Sequence, residues 1–417
     1  MGEQTISTHP MALPETVSER HLSVAAARPL PEIGVTARLL LACARERLSA
    51  SHTELLRALC GAVEDWRPLV QQAEFRLIVP LVHRHLSALP EGSVPGPVLT
   101  ELKKRAVAVT MRNLAMIAVH HRLVREVLEP LGISYAFFKG PSLAYRYYQN
   151  PGLRQFRDID LLIPRRHMLE LGRRLREKGY RSNKHPAWST DDGLGFLQRY
   201  VGMMDWISRE GVLIEMPSSL DDWNRLPTDE ILAEAGSVNL AGVTVPVPAD
   251  ADYLCYLCKH HSRHHWARLH WIADLNAIVA HPDCNLEMVR SRARQRGFER
   301  TVEAALAINQ AVAEAEPWNF SFSDPFAKEL FRHCLINLEG DFEQELALRQ
   351  SFPATSIDID LKQRRRRHRW SRNLARFKPR GEDFLQWPLP ARWHGLYYLV
   401  RPFLYSSRKS HLAPGPD

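Results

Sequence analysis

The sequence lacks the long apolar runs and terminal signals of a membrane or exported protein. No uninterrupted apolar stretch reaches about 18 residues, so no transmembrane helix is predicted. The first 21 residues contain no apolar core of a secretory signal. Ile6 stands where a myristoylation signal that starts at Gly2 would have Ser or Thr. These absences make a cytoplasmic protein the expectation.

Cysteine is also scarce, with six residues in 417. Most of the six lie within apolar, helical patterns, and their spacing does not indicate a disulfide framework. We therefore predict reduced, buried thiols.

Most of the chain has little net charge. The formal net charge is +8, but residues 361–380 alone contain ten Lys or Arg and no acid. The other residues hold 45 basic and 47 acidic side chains and are close to neutral. Any attraction for an anionic partner is therefore expected at the basic segment, 362–380.

The hydrophobic pattern divides the chain into five predicted regions. Residues 1–32 are rich in Pro, Ser, Thr and Ala and are expected to form a flexible tail. Apolar residues at three- and four-residue spacing predict helices over 33–130 and again over 250–350. Between them, 131–249 has a mixed pattern. The basic segment, a final helix and a polar tail occupy 351–417.

The middle region shows short strands separated by turns and helices. ISYAFFKG (133–140) and RDIDLLIP (157–164) are typical of strands, and a helix that begins near Pro141 is predicted between them. Residues 203–216 predict a hairpin with its turn near Glu210-Gly211, and 243–249 is extended. We predict an α+β fold, in which a small mixed sheet is flanked by helical regions.

Two aspartates in the second of these strands indicate a metal site. Side chains alternate along a strand, so Asp158 and Asp160 point the same way, roughly 6.6 Å apart. Such a pair repels unless a cation lies between, and Mg²⁺ (or Mn²⁺) suits oxygen ligands. Glu215 is the best candidate for a third carboxylate, and Asp205 is the second. A simpler reading is that Arg154 and Arg157 pair with the aspartates at a solvated edge.

The stretch FKGPSLAYRYYQNPGLRQFRDIDLLIP resembles the signature of the bacterial nucleotidyltransferase-5 family, an offshoot of the polymerase-beta-like nucleotidyltransferase superfamily. The resemblance rests on Lys139, Gly140, Tyr148, Pro151, Gly152, Arg154, the run from Asp158 to Leu162, and Pro164. A second, helical stretch is similar at Cys258, His260, Trp266, Leu269 and Asp274. The likeness extends to the C-terminal RPF.

The resemblance implies site roles for individual residues. Asp158, Asp160 and Glu215 would be the catalytic residues and the metal ligands. The nucleotide-binding positions that it implies or that neighbour the motif are Lys139, Gly140, Ser142, Arg154, Arg157, His260 and Asp274.

The sequence departs from the family pattern at two places. Glu215 stands where the family usually has Asp, and Met216-Pro217 replaces His and Trp. Pro141 has no N–H, which removes one donor that could bind phosphate.

Cysteines and histidines over 255–265 allow two interpretations. Cys255 and Cys258 with the following histidines have the residue types of a zinc site, but ligands on one continuous helix would not all converge. The cysteines have the spacing of an apolar stripe, which favours the core. The histidines and Arg263 are then expected to line a cleft that faces the nucleotide.

The function predicted is a Mg²⁺-dependent nucleotidyltransferase. It would move an NMP group from an NTP, with ATP as the expected donor, to a hydroxyl acceptor and release pyrophosphate. The acceptor stays open between a sugar, an antibiotic-like molecule, a peptide and a protein. The alternatives are phosphoryl transfer by the same metal site, or a non-catalytic nucleotide- or RNA-binding module with the basic segment as its contact surface.

Overall fold

The computed structural model describes residues 28–221, 224–314, 320–351, 378–399 and 401. Most of the predicted N-terminal tail and most of the basic segment lie outside these residues. None of the helices in the described ranges is both long and apolar enough to cross a membrane.

Helices form the N-terminal part of the chain, as the apolar periodicity predicts. They are α1 Val35–Cys43, α2 Ala50–Gly61, α3 Arg67–Phe75, α4 Val79–Ser87 and α5 Gly96–Leu123. The Ser49 side chain caps α2 by accepting a hydrogen bond from the His52 N–H. Helix α5 continues through a π-helical turn to Leu131 and ends at Gly132, which has a φ of 61°.

A five-stranded mixed sheet follows, together with the helices that connect its strands. The elements are β1 Ala136–Phe137, α6 Gly140–Tyr147, β2 Asp158–Leu162, α7 Met168–Glu177, β3 Arg181–Ser182, α8 Asp191–Phe196, β4 Met203–Ile207 and β5 Leu213–Pro217. The strand order is β1-β2-β5-β4-β3. Only β2 and β5 pair in parallel, and the other neighbours are antiparallel. The predicted hairpin is confirmed as β4 and β5, and the predicted α+β class is also confirmed.

The extended piece predicted over 243–249 belongs to a separate sheet. After the short helix α9 (Thr228–Ala233), β6 Gly236–Leu240 and β7 Val243–Val247 form an antiparallel pair of their own. The extended conformation predicted over 243–249 is confirmed, but the sequence pattern did not reveal β6 as the partner of β7. The strand predicted over 133–140 contains only two paired residues, those of β1.

The helices return after the second sheet. They are α10 Asp250–Arg263, α11 Leu269–Val279, α12 Leu286–Arg296, α13 Glu299–Ala313, α14 Pro325–Glu339 and α15 Phe342–Ser351. A short helix, α16 (Gly381–Gln386), and a 3₁₀ turn over Ala391–Leu396 lie near the C-terminus.

Two apolar cores meet at the central sheet. Helices from before and after the sheet share the larger core, which includes Leu39, Leu69, Ile272 and Leu330. The second core lies on the other face of the sheet and around α7 and α8. Strand β2 contributes to both, because its side chains alternate: Ile159 and Leu161 enter the sheet core, whereas Leu162 joins the larger one.

Candidate active site

Strands β2 and β5 place the predicted acidic residues on one face of the sheet. Asp158 and Asp160 are two residues apart on β2, so both side chains leave the same face. In the parallel pairing, Asp160 lies directly opposite Glu215 on β5. Register partners on adjacent strands project to the same side. The fold therefore brings together the three carboxylates that the sequence analysis singled out.

Asp205, the second candidate for the third carboxylate, lies on the same face. It is the register partner of Glu215 across the β4–β5 hairpin. Its Oδ2 is 2.5 Å from Nζ of Lys184. Asp205 thus forms an ion pair with Lys184, whereas no ion pair of Glu215 is seen among the described residues.

The turn between β1 and α6 touches the acidic strand directly. Gly140 has a φ of 56°, and a Cβ atom at this position would lie 2.7 Å from the backbone oxygen of Asp158. Glycine is therefore required both for the backbone conformation and for the close approach. The preceding Lys139 donates a hydrogen bond of 2.8 Å from Nζ to Oδ1 of Asp160.

Burial sets the charge state of this group. The Asp160 side chain is 1% exposed, and burial raises its pKa to about 6, with Lys139 opposing the rise and Asp158 adding to it. Burial, together with repulsion from Asp160 and Asp158, raises the pKa of Glu215 to about 7. Burial disfavours the charged form of Lys139, but the neighbouring carboxylates raise its pKa well above the ordinary value. Negative charge is thus concentrated in a poorly solvated space.

The donor chemistry of this group fits a divalent cation. Oδ2 of Asp160 is buried and accepts no hydrogen bond, and an unsatisfied buried carboxylate oxygen is costly. Oxygen-rich sites of this kind suit Mg²⁺ or Mn²⁺. The side-chain positions do not form a complete coordination shell, because no group of three His, Cys, Asp or Glu side chains in the described ranges is arranged to hold a metal ion. The ammonium of Lys139 supplies the positive charge beside Asp160.

A cleft opens at this face, between the sheet and α10. Its cavity volume is about 190 Å³ and it opens to solvent, so it is smaller than the roughly 300–1,000 Å³ typical of small-molecule sites. The lining residues are Phe138, Lys139, Asp160, Met203, Glu215, Pro217, Ser219, Leu220, Asp221, Tyr256, Lys259, His260 and Arg263. The expectation that the histidines and Arg263 line a cleft is met by His260 and Arg263, whereas His261 and His265 are buried.

Arg154 and Asp274, two predicted nucleotide-binding residues, lie elsewhere. Both are buried and form a bidentate pair, with distances of 2.7 Å and 2.8 Å between the guanidinium and the carboxylate. Tyr148 donates a further hydrogen bond of 2.8 Å to Asp274, and Arg154 donates one of 3.1 Å to the carbonyl oxygen of Gly140. This network joins α11 to the segment that precedes β2. Neither side chain lines the cleft, so their role in nucleotide binding stays a prediction.

Two other predicted positions are near the acidic residues without lining the cleft. Ser142 is buried, and its hydroxyl donates to the carbonyl oxygen of Lys139 at 2.9 Å. Arg157 is exposed, and its charge lowers the pKa values of Arg268 and His270, although burial is the larger cause for both. The simpler reading, in which Arg154 pairs with an aspartate of β2, does not hold, because the Arg154 guanidinium binds Asp274 and Lys139 binds Asp160.

The cysteines of α10 belong to the core, as one of the two interpretations predicted. Cys255 and Cys258 are both fully buried in the larger core. All six cysteines are free thiols, and five of them are buried. His261 also points inward and is 2% exposed, and burial lowers its pKa far below the ordinary value.

The cleft residues that the sequence analysis missed include Tyr256, Lys259 and Asp221. Tyr256 and Lys259 share a helical face with His260 and Arg263, at relative positions 0, 3, 4 and 7. This spacing could be predicted from the sequence. The sequence did not show which face of α10 would lie opposite the acidic strands.

The sheet thus presents an acidic face, with the Lys-Gly turn against it and α10 as a helical wall opposite. Residues 62–314 match the family described as an uncharacterised nucleotidyltransferase. This match spans more than half of the chain, and the chain belongs to that family. The resemblance predicted from the Lys-Gly and Asp-Ile-Asp motifs is confirmed. No curated protein matches the chain significantly.

Proposed function

We propose that the protein transfers a nucleoside monophosphate from an NTP, with ATP as the expected donor, to a hydroxyl acceptor. The observation that carries the proposal is the parallel register of Asp160 with Glu215, which gathers carboxylates from two strands on one face. Membership of a nucleotidyltransferase family implies a nucleotide substrate. The cleft at this face opens to solvent and is lined by Lys139, Asp160 and Glu215.

In this proposal each acidic residue has a defined task. Asp158, Asp160 and Glu215 would hold Mg²⁺, which would supply neutralisation of phosphate charge and activation of the acceptor hydroxyl. Glu215 would either ligate the metal or accept the proton of the acceptor hydroxyl. The hydroxyl oxygen bonds to the α-phosphorus, the bond from this phosphorus to the bridging oxygen breaks, and pyrophosphate leaves with that oxygen.

Labelled nucleotides test the proposal against its alternatives. The purified full chain is incubated with α-labelled or γ-labelled NTP, Mg²⁺ and cell extract, beside an Asp158→Ala/Asp160→Ala variant. We expect an acceptor labelled from the α position only, and a loss of at least about 100-fold in the variant. Asp229→Ala removes an exposed carboxylate that pairs with Arg166 and is expected to leave transfer unchanged.

The other outcomes each contradict the proposal in a recognisable way. Label from the γ position alone indicates a kinase. Retention of RNA without nucleotide, undiminished in the double variant, indicates a binding module.

A further inference from the structure

Helix α10 supplies the second wall of the cleft, and that wall is basic. Tyr256, Lys259, His260 and Arg263 lie on one face of the helix and all line the cleft. The carboxylates of the sheet form the other wall. A ligand in the cleft would therefore lie between acidic side chains of the sheet and cationic side chains of α10.

Lys259 is held at this wall by weak contacts. Its Nζ is 3.3 Å from the carbonyl oxygen of Leu220 and 3.4 Å from Oδ1 of Asp221. Both distances exceed the usual range of about 2.7–3.2 Å for an N–H donor. An ammonium group has three donors, so Lys259 has the capacity for a shorter, stronger contact with an anion.

Asp221 holds the Lys259 ammonium group at the wall of the cleft. The carboxylate is fully buried, and its Oδ2 accepts a hydrogen bond of 2.6 Å from the Arg225 N–H. This contact fixes the carboxylate from behind, so that its other oxygen faces Lys259. Asp221 therefore acts as a positioning residue for Lys259.

The balance of charge in the cleft changes when a divalent cation enters. Three lining carboxylates, Asp160, Glu215 and Asp221, face three lining cations, Lys139, Lys259 and Arg263. A divalent cation at the carboxylates would leave the cleft with a net positive charge, which favours a polyanion. Arg154 is unsuited to binding a polyanion in the cleft, because its guanidinium already forms a bidentate pair with Asp274.

From this arrangement we infer that Lys259 and Arg263 form a polyphosphate subsite, which binds the β- and γ-phosphates of the NTP. The inference rests on the proposed function for its orientation, with the α-phosphate at the carboxylates. In this arrangement α10 contacts the β- and γ-phosphates, whereas Asp158, Asp160 and Glu215 of the sheet lie at the α-phosphate.

Binding measurements on the full chain test the inference without any turnover. The affinities of ATP, AMP and inorganic tripolyphosphate are measured by calorimetry with Mg²⁺ present, for the wild type and for Lys259→Ala, Lys259→Arg and Arg263→Ala. We expect Lys259→Ala to weaken ATP and tripolyphosphate about 10- to 100-fold, while AMP changes less than about twofold. Lys259→Arg keeps the charge and should restore most of the affinity.

Two controls separate a lost contact from a lost fold. Lys104→Ala removes a lysine that is 79% exposed on α5, far along the chain from the cleft, and should change no affinity. Arg263 is exposed, so Arg263→Ala tests the subsite in a protein that is expected to fold normally even if Lys259→Ala does not.

Two results would overturn the inference. One is an unchanged affinity for tripolyphosphate in both Lys259→Ala and Arg263→Ala, and the other is an equal loss for ATP and AMP. If the wild type binds ATP through Lys259 but transfers no α-label, the proposed function fails and the subsite stands. If it transfers label while the variants bind normally, the subsite fails and the function stands.

Discussion

At the scale of single residues, Gly140 and Gly132 provide a matched pair for testing the Lys-Gly turn. Both have a left-handed backbone, with φ values of 56° and 61°. A Cβ at Gly132 meets nothing within 4 Å, whereas one at Gly140 would lie 2.7 Å from the backbone oxygen of Asp158. The two positions therefore differ in packing and not in backbone conformation.

We expect Gly132→Ala to lower the free energy of unfolding by about 1 kcal/mol through backbone strain alone. Gly140→Ala should lower it by about 3 kcal/mol or more, because β2 must also move. Denaturant unfolding of both variants measures the difference. Equal losses of unfolding free energy in the two variants would show that a Cβ atom at position 140 does not clash with β2.

In the proposed function the Glu215 carboxylate helps to hold a metal ion, whereas in the metal-free protein the same carboxylate is repelled by Asp160 and Asp158. The Glu215 carboxylate is half-buried and faces Asp160 without a cation of its own in the described contacts. We expect Glu215→Gln to raise the free energy of unfolding of the metal-free protein by about 1 kcal/mol at pH 8, because it removes this repulsion. If Glu215 helps to hold the metal ion, as proposed, Mn²⁺ should raise the Tm of the wild type, and the same variant should lose this increase.

Asp205→Asn is the control for this prediction, since Lys184 already neutralises Asp205 on the adjacent strand. This substitution should give no gain in stability. A metal-free Glu215→Gln protein that is less stable than the wild type would contradict the argument from repulsion. The measurements are thermal and denaturant unfolding, with and without Mn²⁺.

At the scale of elements, the Arg154–Asp274 pair fastens α11 to the chain that leads into β2. Both side chains are at most 5% exposed. We expect Asp274→Ala to lower the free energy of unfolding by about 3–5 kcal/mol, because the Arg154 charge stays buried without its partner. The double variant Arg154→Met/Asp274→Leu should recover much of this loss, since it buries no charge.

An exposed pair provides the comparison. Arg166 and Asp229 are 59% and 71% exposed, and Asp229→Ala should change the free energy of unfolding by less than about 1 kcal/mol. Denaturant unfolding of the single and double variants gives the coupling energy of the buried pair. A double variant no more stable than Asp274→Ala would contradict a purely electrostatic cost.

At the scale of the whole molecule, a C-terminal segment outside the family match completes the core of the sheet. Phe384 of α16 is 1% exposed and stacks on Trp188, with ring centroids 5.0 Å apart. Its ring also lies 5.1 Å from Phe196 of α8. Hydrogen bonds from the Tyr200 hydroxyl to the His394 carbonyl oxygen and from the Ala391 N–H to Asp192 hold the same segment.

We expect Phe384→Ala to lower the free energy of unfolding by about 3–5 kcal/mol, the usual cost of removing a buried aromatic ring. Leu385→Ala removes a neighbouring side chain that is 39% exposed and should cost much less. Denaturant unfolding measures both losses. Similar costs for the two variants would show that the segment does not seal this core.

The sequence motifs predicted the acidic face of β2 and the turn beside it, because those features are local in the chain. The alternation Asp-Ile-Asp-Leu-Leu determines that two carboxylates share a face of β2, and Lys-Gly determines a turn that reaches them. The sequence did not reveal the partner of Arg154. A nearby aspartate in the sequence is no guide when α11, 120 residues further along the chain, presents Asp274 instead.

The sequence by itself determined the helical and strand periodicities, the acidic strand, the Lys-Gly turn and the family, because each depends on residues that are close together in the chain. Only the tertiary structure decided that Glu215 lies opposite Asp160, that Asp274 takes Arg154, and that Lys259 joins the cleft. These three outcomes depend on strand register and on which helical face packs inward. Register and packing are set by the burial of apolar surface over the whole molecule, and no short stretch of sequence contains that information.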